Sequence, residues 1–239
     1  MATTGPVVAF PDHGAPEDRP PEGSVALLRE QAFKYAFDLA ELAERERRVS
    51  RQLREALMAT VRALATLTES RRPGSLQHGA RVGRRAQALA ARMGLDEQTG
   101  THALLAGLLH DAGVPVLLPS DADQHGVGAI RLLRQHPIKS VELIEGVSAL
   151  EPLVPFILEH HEALDGSGYP HGLRGKAVSL PGRLMAVAEM YEEQLLRLRA
   201  LSSHDDADAL TTVERAAGTV LDGRVVQALR ASVLAGDAV

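Results

Sequence analysis

The sequence predicts an all-α protein in which a long coiled-coil-like helix precedes a helical bundle. Three observations predict it. Ala, Leu and Val dominate a chain whose aromatic content is only 3%, and Ala and Leu are strong helix formers. Residues 24–70 contain neither Pro nor Gly and carry apolar residues at alternating spacings of four and three. Beyond them run helical patterns divided by short loops, many holding Gly or Pro, with no alternation of apolar and polar residues that would demand a strand.

The chain divides into three regions. Residues 1–22 hold Pro6, Pro11, Pro16, Pro20 and Pro21 among Gly, Asp and Glu. Such a segment cannot bury enough apolar surface to offset its ordering entropy and is expected to be a disordered tail. In 24–70 the seam reads Leu28, Ala32, Tyr35, Leu39, Leu42, then Val49, Leu53 and Ala56, interrupted by Glu46. A narrow stripe sustained over several heptads marks a coiled-coil seam, and one charged seam position helps to fix register. Glu44, Arg45, Arg47 and Arg48 form a mixed-sign surface around it. This helix is expected to pair two copies of the chain into a homodimer, the alternative being a long helix that lies on its own domain. Arg71-Arg72-Pro73-Gly74-Ser75 then breaks the helix. Helices are expected at about 76–93, 97–111, 126–135, 138–146, 150–163, 182–200, 206–219 and 223–234, making 71–236 one domain.

Composition narrows the function. The formal net charge is −5, which argues against a dedicated nucleic-acid binder. With no cysteine among 239 residues, disulfides, thiolate metal sites and a Cys nucleophile are excluded. Met1 to Pro21 lacks the charged and apolar regions of a signal peptide. No apolar run approaches the ~20 residues needed to cross a bilayer. The expectation is a soluble, cytoplasmic protein with no membrane partner.

Chemistry is carried by histidine and carboxylate. Of ten histidines, His78, His110, His136, His160 and His161 stand where they could ligate a metal, and Asp111 adds a carboxylate beside His110. A lone histidine on an apolar face is ordinarily a packed or capping residue, so the argument rests on the ordered set. Imidazole with carboxylate suits Fe, Mn, Zn or Ni better than Mg or Ca. A carboxylate can bridge two ions, and two ions together activate a water and clamp the attacking and leaving oxygens of a displacement. His110 and Asp111 would lie ~100° apart on a helix. They converge on one site most easily at a helix end, which Gly113 and Pro115 signal.

These motifs resemble the HD-GYP domain family. His78-Gly79-Ala80-Arg81-Val82 is similar to the family's His-x-x-Arg-Val opening, and Leu108-Leu109-His110-Asp111-Ala112-Gly113 to its Leu-His-Asp-x-Gly segment. His136-Pro137 follows in place. The run from His160-His161-Glu162 through Asp165-Gly166-Ser167 to Gly168-Tyr169-Pro170 matches the family's most distinctive stretch, and Leu173 and Gly175 continue it. Arg183 and Val187-Ala188-Glu189 resemble the next motif, and Leu221-Asp222 with Val225-Val226 the C-terminal one.

The resemblance implies a cytoplasmic bacterial signalling enzyme that hydrolyses cyclic di-GMP to pGpG with two divalent metal ions, Fe or Mn. It implies one ion on His78, His110, Asp111 and Glu189, and the other on Asp111, His136, His160 and His161. His110 and Asp111 would be catalytic, and Tyr169, Gly168 and Arg183 would meet substrate. His171 reads as a plain surface residue.

This chain departs from the family pattern in five places. Glu189 stands for Asp, Val114 for a Lys, and Gly74 for a Glu seen in three-metal members. The Arg-Pro-Tyr motif is absent from 195–201, and the segment from Gly113 to His136 is altered. Because Val114 and the lost motif remove cations that could meet phosphate, a second reading is a catalytically degenerate nucleotide sensor or interaction module. A third is a hydrolase for another phosphate ester.

Overall fold

The computed structural model describes residues 22–69, 77–117, 127–200 and 206–236, and among them every regular element is a helix. The expected tail and the expected break at Arg71–Ser75 lie outside the described residues. Two isolated antiparallel or parallel bridges, Asp165 with Arg174 and Ala217 with Leu221, are the extent of β pairing there. No helix among the described residues is long and apolar enough to cross a membrane.

Helix α1 runs Glu22–Glu69. The chain separates into a unit ending at Arg54 and a second beginning at Glu55. In the first unit the large apolar residues of the seam are exposed, among them Leu28, Tyr35, Leu39, Leu42, Val49 and Leu53. In the second unit the same helix contributes Val61 and Ala65 to the buried core, with Leu57 and Met58 partly buried against it. The second unit therefore takes in about the last four turns of α1.

The core of the second unit is built on α2 (His78–Arg92), α3 (Glu97–Leu109) and α8 (Leu180–Ala200). Between α3 and α8 come α4 (Val114–Leu117), α5 (Val127–Leu133), α6 (His136–Ile144) and α7 (Val154–Leu158). The chain closes with α9 (Asp206–Arg215) and α10 (Gly223–Leu234). Leu89, Leu153, Ile157, Leu184, Met185 and Leu229 are fully buried, each worth roughly 1.5–3 kcal/mol by removal from water. Asp96 caps α3 by accepting from the Thr99 amide at 2.7 Å, satisfying one of the free N–H groups of the first turn.

Two differences from expectation have local causes. The helix expected at 150–163 is a 3₁₀ stretch, Ser148–Leu153, followed by one short helix that ends at Leu158. Pro152 and Pro155 each remove an amide donor and prevent a continuous α ladder. His160 and His161 thus stand beyond a helix end rather than on a helix. Likewise α3 ends at Leu109 and not at residue 111, so His110 and Asp111 occupy the turn that follows.

Helices α2 and α3 cross at glycine. A Cβ on Gly107 would stand 2.2 Å from the Gly83 Cα, and one on Gly83 would stand 2.4 Å from the Leu104 carbonyl oxygen. Backbone meets backbone here, so neither helix can accommodate a methyl without moving. Gly107→Ala is expected to lower unfolding stability by about 1–3 kcal/mol through overpacking, read from urea denaturation monitored by circular dichroism. An unchanged midpoint would show that the crossing can relax.

Asp222 caps α10 and ties it to α8. Its carboxylate accepts from the Arg224 amide at 2.9 Å and from Arg183 Nη1 at 2.9 Å. Burial opposes its charge, but the hydrogen bonds from Arg224 and Arg183 outweigh that cost and bring it down to about 2. Since the folded value lies below the ordinary one near 3.8, its stabilisation is complete above that value and is lost as pH falls toward 2. Asp222→Asn is expected to cost about 1.5–3 kcal/mol at neutral pH. The gap from the native chain should narrow between pH 4 and pH 2 in denaturant titrations, and a constant gap would refute the ionic origin.

Candidate metal centre

Seven side chains from five segments converge inside the second unit. His78 opens α2, and Glu189 sits in the middle of α8, where their Nε2 and Oε1 atoms are 3.1 Å apart. The other oxygen of Glu189 lies 3.2 Å from His110 Nε2. Asp111 Oδ1 lies 3.7 Å from His110 Nε2 and 3.2 Å from His136 Nε2. His136 Nε2 in turn stands 3.0 Å from His160 Nε2, and the rings of His160 and His161 are 4.1 Å apart. All but Asp111 and His161, which are half-buried, are buried.

The donor atoms fall into two groups, His78 with His110 and Asp111, and His136 with His160 and His161, the atoms of each within 4.8 Å of one another. Glu189 flanks the first group through both oxygens. Asp111 reaches from the first group to His136 of the second. The structure thus brings together all seven residues expected as ligands.

The backbone sets the protonation of three of these rings. Nδ1 of His110 donates to the Gly107 carbonyl at 2.7 Å, Nδ1 of His136 to Leu133 at 2.7 Å, and Nδ1 of His160 to Ile157 at 2.6 Å. Each ring follows a helical turn, so the carbonyl three residues earlier is the partner every time. With the proton held on Nδ1, the neutral ring presents a bare lone pair at Nε2. Two such lone pairs, those of His136 and His160, then face each other at 3.0 Å. That contact is repulsive unless a cation lies between them. Two nitrogens each ~2.1 Å from a shared ion would stand about 3.0–3.4 Å apart, so the donor set fits a divalent metal ion. His110 Nε2 and Glu189 Oε2, both buried, lie 3.2 Å apart without hydrogen-bond geometry between them, a separation that suits two donors of a second ion.

Electrostatics agree. Burial, then the neighbouring imidazoles, hold His160 well below its ordinary value. Burial chiefly pushes His161 down to about 4 and lowers His136 against the pull of Asp111. These three rings are neutral donors at physiological pH. For His110 burial also opposes charge, but Asp111 and Glu189 outweigh it and raise it to about 10. Glu189 is held well below the carboxylate range, its burial outweighed by His110 and His78. A cavity of about 110 Å³ lies against His160, His161, Glu189 and Glu193, room enough for several waters.

The residues expected near substrate separate in space. Tyr169 stacks on His161 with ring centroids 4.6 Å apart. Gly168 has a packing role, because a Cβ there would stand 2.4 Å from the Ala163 amide and 2.5 Å from the His161 carbonyl. Arg183 is engaged elsewhere, donating to Val178 O, Asp222 Oδ2 and Gly175 O. Val114, where a cation was absent by sequence, is buried. His171 is exposed.

Three supporting contacts were not read from the sequence. Glu162 is buried and accepts from the His171 and Leu173 amides at 2.7 and 2.8 Å, pinning the loop that carries Tyr169. Ser140 donates to the His110 carbonyl at 2.6 Å and accepts from the Gly113 amide at 2.9 Å, bridging the His110-Asp111 turn to α6. Arg85 and Glu192, both buried, pair at 3.1 Å between α2 and α8. The only sequence signal was position, since Glu162 adjoins His161, and Ser140 and Glu192 lie one helical turn from His136 and Glu189. Glu162→Ala is expected to speed amide hydrogen exchange across 169–173 while leaving α2 and α3 protected. Unchanged exchange in that loop would remove Glu162 from this role.

The comparisons with known proteins agree with this geometry. A family model described as an HD domain matches residues 62–225. Over 213 residues the chain is 30% identical to the cyclic di-GMP phosphodiesterase response regulator RpfG of Xanthomonas campestris pv. campestris, covering 84% of this chain and 55% of that protein. It is 29% identical over 143 residues to 3'3'-cGAMP-specific phosphodiesterase 1 of Vibrio cholerae, covering 58% of this chain and 33% of that protein. The chain therefore spans from a third to about half the length of these relatives. In fold it is similar to Bd1817, a HDG"Y"P protein from Bdellovibrio bacteriovorus, with a TM-score of 0.52 and 23% identity over 66% of this chain and 51% of that one. With its two donor groups, its His110-Asp111 turn and its Gly168-Tyr169-Pro170 loop, the chain belongs to the HD domain family, and within it to the HD-GYP type.

Proposed function

We propose that the chain is a metal-dependent phosphodiesterase that opens cyclic di-GMP to linear pGpG. The carrying observation is the pair of bare imidazole nitrogens, on His136 and His160, facing each other at 3.0 Å beside Asp111. In this reading His78, His110, Asp111 and Glu189 hold one divalent ion and Asp111, His136, His160 and His161 the other, Fe or Mn in each. Such ions, when bound, supply the positive charge and water activation that displacement at phosphorus requires. The protein's own part is to keep three imidazoles neutral, to hold Asp111 between the two groups and to exclude bulk water with the surrounding core. Hydrolysis adds water across one P–O bond of the ring, leaving a terminal phosphate on one sugar and a hydroxyl on the other. The relatives' names, which include both cyclic di-GMP and cGAMP enzymes, support a cyclic dinucleotide as the substrate class. The exposed apolar stripe of α1 supports a homodimer joined along that helix.

One observation favours a second reading, a nucleotide sensor that keeps the fold and the ions without turnover. Arg183 is held by Asp222 and position 114 is a buried valine, so neither provides a free cation for phosphate.

Turnover of cyclic di-GMP and of 3'3'-cGAMP, followed chromatographically with Mn(II) and anaerobically with Fe(II), decides between them. The expected result is linear product from the native chain, reduced by at least ~10³-fold in Asp111→Ala, as befits loss of a group that acts directly on the reacting centre. A folded, metal-loaded protein that forms no product from either nucleotide would overturn the enzyme reading in favour of the sensor.

A further inference from the structure

Arg134 has no part in the site as described so far. It follows α5 and precedes His136 by two residues. Its guanidinium carbon lies 4.9 Å from the centroid of the Tyr169 ring. Tyr169 stacks on His161 at 4.6 Å, and its ring is 6.2 Å from that of His136. A single stack thus leads from a candidate metal ligand through a phenol ring to a cation. The face of a phenol ring can carry a guanidinium.

The other arginines near the ligands are held by carboxylates. Arg81 and Arg85 face Glu192 at 3.5 and 3.1 Å, and Arg183 and Arg224 share Asp222. Arg134 has no carboxylate partner among the described residues and is exposed. Contact with the face of a ring uses the charge of a guanidinium but not its N–H groups. Its planar fork therefore stays available for a two-point hydrogen bond to an anion. Tyr169 also limits its freedom, so less entropy is lost when it binds.

Which anion follows from the position. A phosphate undergoing hydrolysis would lie among the donors of His78 through His161. Arg134 stands one ring further out, with Tyr169 between. A cyclic dinucleotide has two phosphodiesters on opposite sides of its macrocycle, so that when one lies among the donors the other is displaced outward. We propose that Arg134 binds the second, uncleaved phosphodiester of a cyclic dinucleotide. It would thereby distinguish such a ligand from a simple diester with a single phosphate. This inference rests on the cyclic-dinucleotide reading above.

The test uses the full chain loaded with Mn(II), as native protein, Arg134→Gln and Arg134→Lys. Binding of cyclic di-GMP is measured by titration calorimetry. Turnover is measured for cyclic di-GMP and for bis(4-nitrophenyl) phosphate, which has one phosphate. In Arg134→Gln, Kd and KM for cyclic di-GMP should rise about 10- to 100-fold, as for loss of a charge-assisted pair, with a flatter salt dependence. Arg134→Lys should recover part of the loss, and kcat/KM for the simple diester should stay within about three-fold of native. Unchanged Kd and KM for the cyclic dinucleotide would overturn the proposal. Equal losses on both diesters would overturn it too, because Arg134 would then be supporting the site at large. If the native chain binds cyclic di-GMP without cleaving either compound, the phosphodiesterase reading fails and the Kd ratio alone decides for or against Arg134. A native chain that binds no cyclic di-GMP overturns the role of Arg134.

Discussion

Buried imidazole lone pairs aimed at one another are the constraint on which the rest of this domain depends. Nδ1 of His136 and of His160 is tied to the carbonyl three residues before it, and Nε2 is left bare. A bare nitrogen buried without a partner costs on the order of 1–3 kcal/mol, and here two face each other at 3.0 Å. Protonation is opposed at His136, His160 and His161 by burial. A cation held between them would satisfy the arrangement, and the cost carried by the folded protein would then become affinity for a metal ion.

Holding that arrangement together requires rigid neighbours. The α2–α3 crossing at Gly83 and Gly107 allows His78 and His110 to bring their ring centroids within 5.5 Å. The buried Arg85–Glu192 pair joins α2 to α8 about two turns along α2 and one turn along α8 from the His78–Glu189 contact. Removing one partner of such a pair leaves an uncompensated buried charge, so the pair resists any slippage of α2 along α8. Ser140 and Glu162 perform the same service with neutral and ionic hydrogen bonds for the two segments that lack helical structure.

Positive charge is distributed unevenly around the site. Most nearby guanidinium groups are bound by carboxylates that fasten helices together. Their role is architectural, and Arg183, which the family resemblance set beside substrate, illustrates it with three acceptors in the clasp between α8, the Gly175 turn and Asp222. Arg134 is the contrasting case, a cation resting on an aromatic face with its donors open. A charge that fastens structure and a charge that meets ligand differ only in what lies opposite them.

By itself the sequence determined the all-helical class and the long first helix, because these depend on residue type and on spacing along the chain, and it named seven residues that converge in the fold. Helical periodicity is local, and the ordered His and Asp motifs from His78 to Glu189 are distinctive as a string. Where proline interrupts a pattern the reading was less successful, as with the helix expected across 150–163, since periodicity alone does not weigh Pro152 and Pro155 against their apolar neighbours. Tertiary structure alone decided which donors face which, that His136 meets His160 while Asp111 reaches both groups, and that Glu162, Ser140 and Glu192 act as supports. It also separated Arg183 from Arg134. Such pairings join residues far apart in the chain, and their energies depend on distance and burial, quantities that come into being only when the helices pack.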